Sequence, residues 1–253
     1  MPNTLFDLEK EKTAIELLQR YEPVRGYYLS FSGGKDSVVL HEIAKRAGVK
    51  FDAHFANTTV EAPETMRFIR QFYPEVIWDK PRMTMRQAII YKQRPPTRVM
   101  RYCCFMTKEC HGSGHILLTG IRKAESVKRA KRHHIEISFD DCTKIMIHPI
   151  FYWSTDEVWG YIKANNLPVN PLYAEGRKRI GCVMCPMSGS EGMKRDAIRW
   201  PKIARRYRQY FQEMYDYHTA RGHKFKGWES GDCIYDWWIT QPKKDKDKGE
   251  CLL

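Results

Sequence analysis

Two groups of side chains in this sequence have the types and spacing for chemistry. The first is Ser32-Gly33-Gly34-Lys35-Asp36-Ser37, and the second is Cys103-Cys104 together with Cys182-x-x-Cys185. In the first, paired glycines let the backbone approach a ligand without a Cβ clash. Two hydroxyls and an ammonium surround them. The run Tyr27 to Phe31 reads as a buried strand, and Val38 to Lys45 reads as a helix. A strand, a glycine turn and a helix N-terminus make an anion site, because free N–H groups and the helix dipole favour phosphate. The loop is not a Walker A motif, since Asp36 stands where Ser or Thr would follow the Gly-Lys pair. In the second group, vicinal cysteines rarely bridge each other. A Cys-x-x-Cys pair puts two sulfurs on one metal or cluster. Four thiolates from two distant segments can close a tetrahedral zinc site or hold a 4Fe–4S cluster. Spacing alone leaves both open.

The elements that must position these groups follow an alternating order. A helix is expected over residues 4–21, capped by Thr4 and ended by Pro23. Strands are expected at Tyr27–Phe31, Val49–Phe55, Glu75–Trp78 and His115–Ile121, with Lys144–Ile150 as an edge or fifth strand. Helices fall between them, one through Phe68, Ile69 and Phe72 and a short one over Thr84–Tyr91. Ser154 with Glu157 makes a capping box for a helix over Thr155–Ala164. This order predicts an α/β fold: a Rossmann-like, doubly wound parallel sheet with right-handed crossovers. Its ligands should sit at the carboxyl ends of the strands, with the residues after Phe55 beside the loop after Phe31. Residues 1–170 are expected to form the nucleotide-binding α/β domain. Residues 171–253 are expected to form the Cys-x-x-Cys segment, a helical extension from Gly189 and a mobile charged tail at 243–249. In that extension Ile203, Tyr207, Tyr210, Phe211 and Met214 recur at helical spacing as a core stripe.

Lys and Arg number 43 against 30 Asp and Glu, a formal charge of +13 in 253 residues. Such a surface suits anionic partners: nucleotides, sulfate or phosphate esters, or nucleic acid. Arg122, just past a strand end, carries the planar fork that clamps phosphate or sulfate. The basic run Lys128 to His134 adjoins it. No apolar run is long enough to span a bilayer, and the N-terminus lacks a signal-peptide pattern. A cytoplasmic protein without membrane attachment is therefore expected. In a reducing compartment eight cysteines point to metal or redox use rather than disulfides.

Several motifs resemble one family. Ser32 to Ser37 resembles the pyrophosphate loop of the ATP pyrophosphatase superfamily. Asn57-Thr58 with Pro63-Glu64-Thr65, Thr119-Gly120-x-Arg122-x-x-Glu125-Ser126, Asn170-Pro171-Leu172-Tyr173 and Ile180-Gly181-Cys182 resemble segments of the phosphoadenosine phosphosulfate (PAPS) reductase family, in family order from about Tyr27 to about Gly192. The resemblance implies an adenine nucleotide, ATP or PAPS or adenosine phosphosulfate (APS), held by Ser32, Gly33, Gly34, Lys35, Asp36, Ser37, Asn57, Glu64, Gly120 and Arg122. Lys35, Asp36 and Arg122 would act in catalysis, with Mg²⁺ at the phosphates. It also selects a 4Fe–4S cluster on Cys103, Cys104, Cys182 and Cys185 over zinc. Two departures bear on activity. The glycine loop is intact, which reductases of PAPS and APS need not keep, and this favours ATP and α-phosphate chemistry coupled to sulfur transfer. The C-terminal Glu250-Cys251 lacks the Gly and His that follow the nucleophilic cysteine of those reductases. Thiol-dependent reduction of PAPS or APS to sulfite is the second expectation, and a non-catalytic nucleotide-binding subunit the third. Expected partners are a thioredoxin-like or sulfur-donor protein, an anionic substrate for which nucleic acid is a candidate, and further copies of the chain in a homo-oligomer.

Overall fold

The computed structural model describes residues 5–240. Thr4, the segment 243–249 and Cys251 lie outside the described residues. Among the described residues ten helices run α1 Leu5–Arg20, α2 Lys35–Ala47, α3 Pro63–Phe72, α4 Met85–Lys92, α5 Tyr102–Thr107, α6 Val127–Ala130, α7 Thr155–Ala164, α8 Gly189–Arg199, α9 Pro201–Thr219 and α10 Gly231–Thr240. The same residues hold six strands, β1 Tyr27–Ser30, β2 Phe51–Ala56, β3 Ile77–Asp79, β4 Ile116–Leu118, β5 Ile135–Ile137 and β6 Ile145–Ile147. They form one sheet in the order β3-β2-β1-β4-β6-β5, parallel except for β5. The fold is the Rossmann-like α/β class that the alternation predicts. The segment Lys144–Ile150 carries the strand expected there, β6, but inside the sheet and not at its edge, because the unanticipated β5 covers it antiparallel.

Contacts divide the chain into two compact units. The first takes residues to Ala56, Pro63–Lys80 and His111–Ile180; the second takes Asn57–Ala62, Pro81–Cys110 and Gly181 onward. The chain thus leaves the sheet unit at Ile180, a little beyond the expected boundary at 170, and two earlier segments belong to the second unit as well.

In the first unit, alternate residues of each strand face a common core. Tyr27, Leu29 and Phe31 from β1 and its edge, Ala53 and Phe55 from β2, Leu118 and Ile147 pack on Leu18, Val39, Leu40, Ile43, Phe68, Ile69, Val158 and Ile162. Each fully buried Leu or Ile in such a layer contributes about 1.5–3 kcal/mol. Ser154 caps α7 through the predicted box, its Oγ accepting from Glu157 N and Glu157 Oε2 accepting from Ser154 N. The second unit is helical. Tyr207 and Phe211 on α9 pack against Trp238 of α10, whose Nε1 donates to Pro96 O at 2.6 Å. The helix expected from Gly189 breaks at Trp200, because Pro201 has no N–H to continue it. No described helix is long and apolar enough to cross a membrane.

One core residue ties stability to pH. His41 of α2 meets the rings of Phe31, Phe51 and Tyr73 edge-on at 5.1–5.7 Å. Burial lowers its pKa, and Lys45 adds to this, against the upward pull of Glu75 and Glu42. The unfolded chain, with an ordinary His pKa of about 6.5, then binds the proton better. Stability from this site is complete above that value and declines as pH falls below it toward the folded value. His148, buried by the same sheet, shifts in the same direction. We expect urea unfolding to show lower stability at pH 5.5 than at pH 7.5, and His41→Phe to shrink that loss. An unchanged pH slope in the variant would refute this account.

Candidate functional site

The strand order reverses at β1, which has β2 on one side and β4 on the other. At such a switch point the loops after the two strands diverge and leave a crevice. Here the crevice is a pocket of about 180 Å³ lined by Ser30, Ser32, Gly34–Ser37 after β1, Gly120, Ile121, Glu125 and Arg129 after β4, and Tyr173, Arg179 and Ile180. This is smaller than the roughly 300–1,000 Å³ that enclose a drug-sized ligand, so it fits the anionic end of a larger molecule.

Local geometry builds the loop. Gly33 has φ +69°, and a Cβ there would meet Ile69 and Thr65 at 3.1–3.2 Å. The Ser37 hydroxyl donates to Gly34 O at 2.9 Å and accepts from Ser32 N at 3.2 Å, closing the turn on itself. Gly120 brings the β4 loop against the start of α2, since an added Cβ would lie 3.0–3.1 Å from Asp36 atoms. Lys35 is 7% exposed, with Nζ 3.0 Å from Asp36 Oδ2.

The expected site residues are placed unequally. Ser32, Gly34, Lys35, Asp36, Ser37 and Gly120 line the pocket. Arg122 does not. Its side chain is 2% exposed, and its fork is engaged inward: Nε donates to Asp36 Oδ1 at 2.6 Å, Nη1 to Trp153 O at 3.0 Å and Nη2 to Thr155 Oγ1 at 3.4 Å. It therefore fixes Asp36 rather than facing the pocket. Glu64 stands in the first turn of α3, near Arg67. Asn57 belongs to the second unit, where its Oδ1 accepts from Thr59 N at 2.9 Å. The basic run contributes one side chain, Arg129, which pairs with Glu125 at the pocket wall. Arg179 comes from the Arg177–Arg179 run, which the sequence offers for sulfate and phosphate groups. Tyr173 was not singled out as a site residue, although it ends a motif that was.

The second unit gathers the other group. Cys103 and Cys104 open α5, and Cys182 lies on a bridge to Glu61. All four cysteines are thiols. A hydrogen bond with Cys104, burial, and the nearby Cys104, Cys182 and Cys185 raise the Cys103 pKa. Cys104 moves the other way, held down by Cys103 and, against burial, by Arg101 and Lys108. Burial pushes Cys182 up to about 12, opposed by Lys108 and reinforced by Glu61. Two residues not foreseen complete the group. Glu61, 2% exposed in its side chain, lies 3.6 Å from Lys108 Nζ and accepts from Thr58 Oγ1 at 2.8 Å. The Cys182 thiol donates to the same Thr58 oxygen at 3.4 Å. Among the described residues no three His, Cys, Asp or Glu side chains converge on a single-ion position. The four thiols are nonetheless the soft donor set that suits an iron–sulfur cluster.

The family model of the phosphoadenosine phosphosulfate reductase domain matches residues 26–188. The chain belongs to that family. Among its relatives, the adenosine 5′-phosphosulfate reductase of Staphylococcus epidermidis is 30% identical over 221 residues, covering 78% of this chain and 86% of that one. The enzyme of the same name from Oceanobacillus iheyensis is 28% identical over 215 residues, 77% of this chain and 86% of that one. An uncharacterized Methanocaldococcus jannaschii protein is 29% identical over 83% of this chain, but the match spans only 46% of that protein. Two solved structures share the family fold. One is a Candida auris PAPS reductase in a phosphate complex, with TM-score 0.51 and 20% identity over 72% of this chain and 97% of that one. The other is a Candida glabrata FMN adenylyltransferase with FAD and pyrophosphate, with TM-score 0.53 and 14% identity over 70% of this chain and 65% of that one.

Proposed function

We propose that this family member is an adenine-nucleotide enzyme of sulfur metabolism that takes ATP and releases pyrophosphate. The observation that carries the reading is the intact glycine loop lining a pocket fit for a phosphate tail. The loop amides, Ser32, Ser37 and Lys35 would hold the β and γ phosphates. Asp36, fixed by Arg122, would face the Mg²⁺ that accompanies them. An acceptor oxygen would attack the α-phosphorus as the bond to the β-phosphate oxygen breaks, and Lys35 would offset charge on the departing pyrophosphate. Arg129 and Arg179 add cationic charge at the pocket wall. Cys103, Cys104, Cys182 and Cys185 would hold a 4Fe–4S cluster, which supplies electrostatic or sulfur chemistry when bound.

The named relatives favour a second reading, reduction of APS. A thiolate would attack the sulfur of APS, the sulfur–oxygen bond to AMP would break, and a dithiol protein of thioredoxin type would release sulfite by reducing the S-sulfonated cysteine. Cys251 is the candidate thiol for that step.

The two readings separate in one assay. With ATP and a sulfur-accepting substrate pool, the first expects pyrophosphate at a rate that Lys35→Ala lowers about 100-fold. With APS and reduced thioredoxin, the second expects sulfite, abolished by Cys251→Ser. Sulfite release without any ATP turnover would replace the first reading with the second.

A further inference from the structure

The pocket has a neutral hydroxyl donor that belongs to neither the glycine loop nor α2. Tyr173 lines it, and its phenolic oxygen accepts from Lys35 N, the first amide of α2, at 2.9 Å. That oxygen caps the helix, since the N-cap residue Gly34 offers no side chain to do so. Its position is built, not incidental. The ring meets Trp159 edge-on with centroids 5.0 Å apart, and Lys35 Nζ lies 5.9 Å over its face. Asn170, 1% exposed, anchors the same turn to the phosphate loop: Nδ2 donates to Gly33 O at 3.2 Å and to Thr65 Oγ1 at 3.1 Å, and Oδ1 accepts from Leu172 N at 3.1 Å. The turn Pro171–Tyr173 thus grips the loop on both sides of Gly34.

A phenol both accepts and donates. Here the accepting side is engaged, and among the described residues the hydroxyl proton has no acceptor. Burial pushes the hydroxyl pKa up to about 12, against the Lys35 amide, so it keeps that proton at neutral pH. The amide behind it polarises the O–H and strengthens it as a donor.

We propose that Tyr173 is an oxyanion-binding residue, its O–H donating to a terminal phosphate oxygen and passing the Lys35 amide's hydrogen bond on to the ligand. The inference rests on the nucleotide-site reading above and adds a specific donor to it. The donor comes from a segment far along the chain, so the anion is held from two parts of the first unit rather than by the glycine loop alone.

The test is titration of the full chain and of Tyr173→Phe with inorganic pyrophosphate by calorimetry, alongside thermal unfolding without ligand. Losing a hydrogen bond to a charged group weakens binding about 10-fold or more. The variant should show that loss, with a ligand-free melting temperature only modestly lowered by the lost cap on the Lys35 amide. If Tyr173→Phe binds pyrophosphate within twofold of wild type, the hydroxyl makes no ligand contact and the inference fails. If it binds more tightly, the hydroxyl only plugs the Lys35 amide, and the inference fails in the other direction. If the wild-type chain binds neither pyrophosphate nor ATP, the nucleotide-site reading fails as well. That outcome is distinct, because it shows before any variant is made.

Discussion

Arg122→Met should cost about 3 kcal/mol of stability and most of the affinity for pyrophosphate, although Arg122 does not line the pocket. The guanidinium is buried and donates to a carboxylate, a carbonyl and a hydroxyl. Removing one partner of a buried ion pair leaves the other uncompensated, which costs about 3–5 kcal/mol. Asp36 is 20% exposed and keeps Lys35 as a second partner, so the lower end of that range applies. The binding loss follows from geometry. Asp36 lies directly after Lys35 at the start of α2, so its release frees the turn that aims the loop amides. Arg122→Lys keeps the charge without the fork, since an ammonium is a point donor, and should fall between wild type and Met. Urea unfolding and calorimetric pyrophosphate titration measure both effects. A Met variant within 1 kcal/mol of wild type, binding pyrophosphate normally, would show that Arg122 is dispensable to the site.

That case marks where reading the sequence stops. A planar cation past a strand end was visible, but whether its fork turns to a ligand or to a carboxylate depends on packing between residues 86 positions apart. The glycine loop, its flanking strand and helix and the α7 capping box were legible because their signals are local. β5 was not. Three residues beside a basic run carry little periodicity, and its antiparallel place is set by β6. The same limit hid Glu61, whose link to Cys182 spans 121 positions. Lys108 was more accessible. It follows Cys104 by four residues, a helical spacing that puts a cation beside a thiolate, but α5 itself went unrecognised after a proline-broken loop. The residues after Phe55 were expected beside the loop after Phe31; the pocket is lined from that loop, from the loop after β4 and from Tyr173, Arg179 and Ile180, without them.

The largest expected change in composition concerns the thiols. Protein purified without oxygen should carry about four irons and four sulfides per chain, and Cys182→Ser should reduce this to under about one iron. The second unit provides the reason. It brings Cys103, Cys104, Cys182 and Cys185 within electrostatic reach of one another, and sets Arg101 and Lys108 beside them. Four thiolates held close together in a partly buried region repel, and two adjacent cations with a bound cluster relieve that repulsion. Metal affinity then becomes folding free energy, so iron removal by a chelator should lower the unfolding temperature of the whole chain. Cys142 and Cys233 are exposed and serve as controls, since Cys142→Ser and Cys233→Ser should retain full iron. Iron retained by Cys182→Ser, or zinc in place of iron in the anaerobic wild type, would rule out the cluster assignment while leaving the nucleotide pocket untouched, because the pocket residues all belong to the first unit.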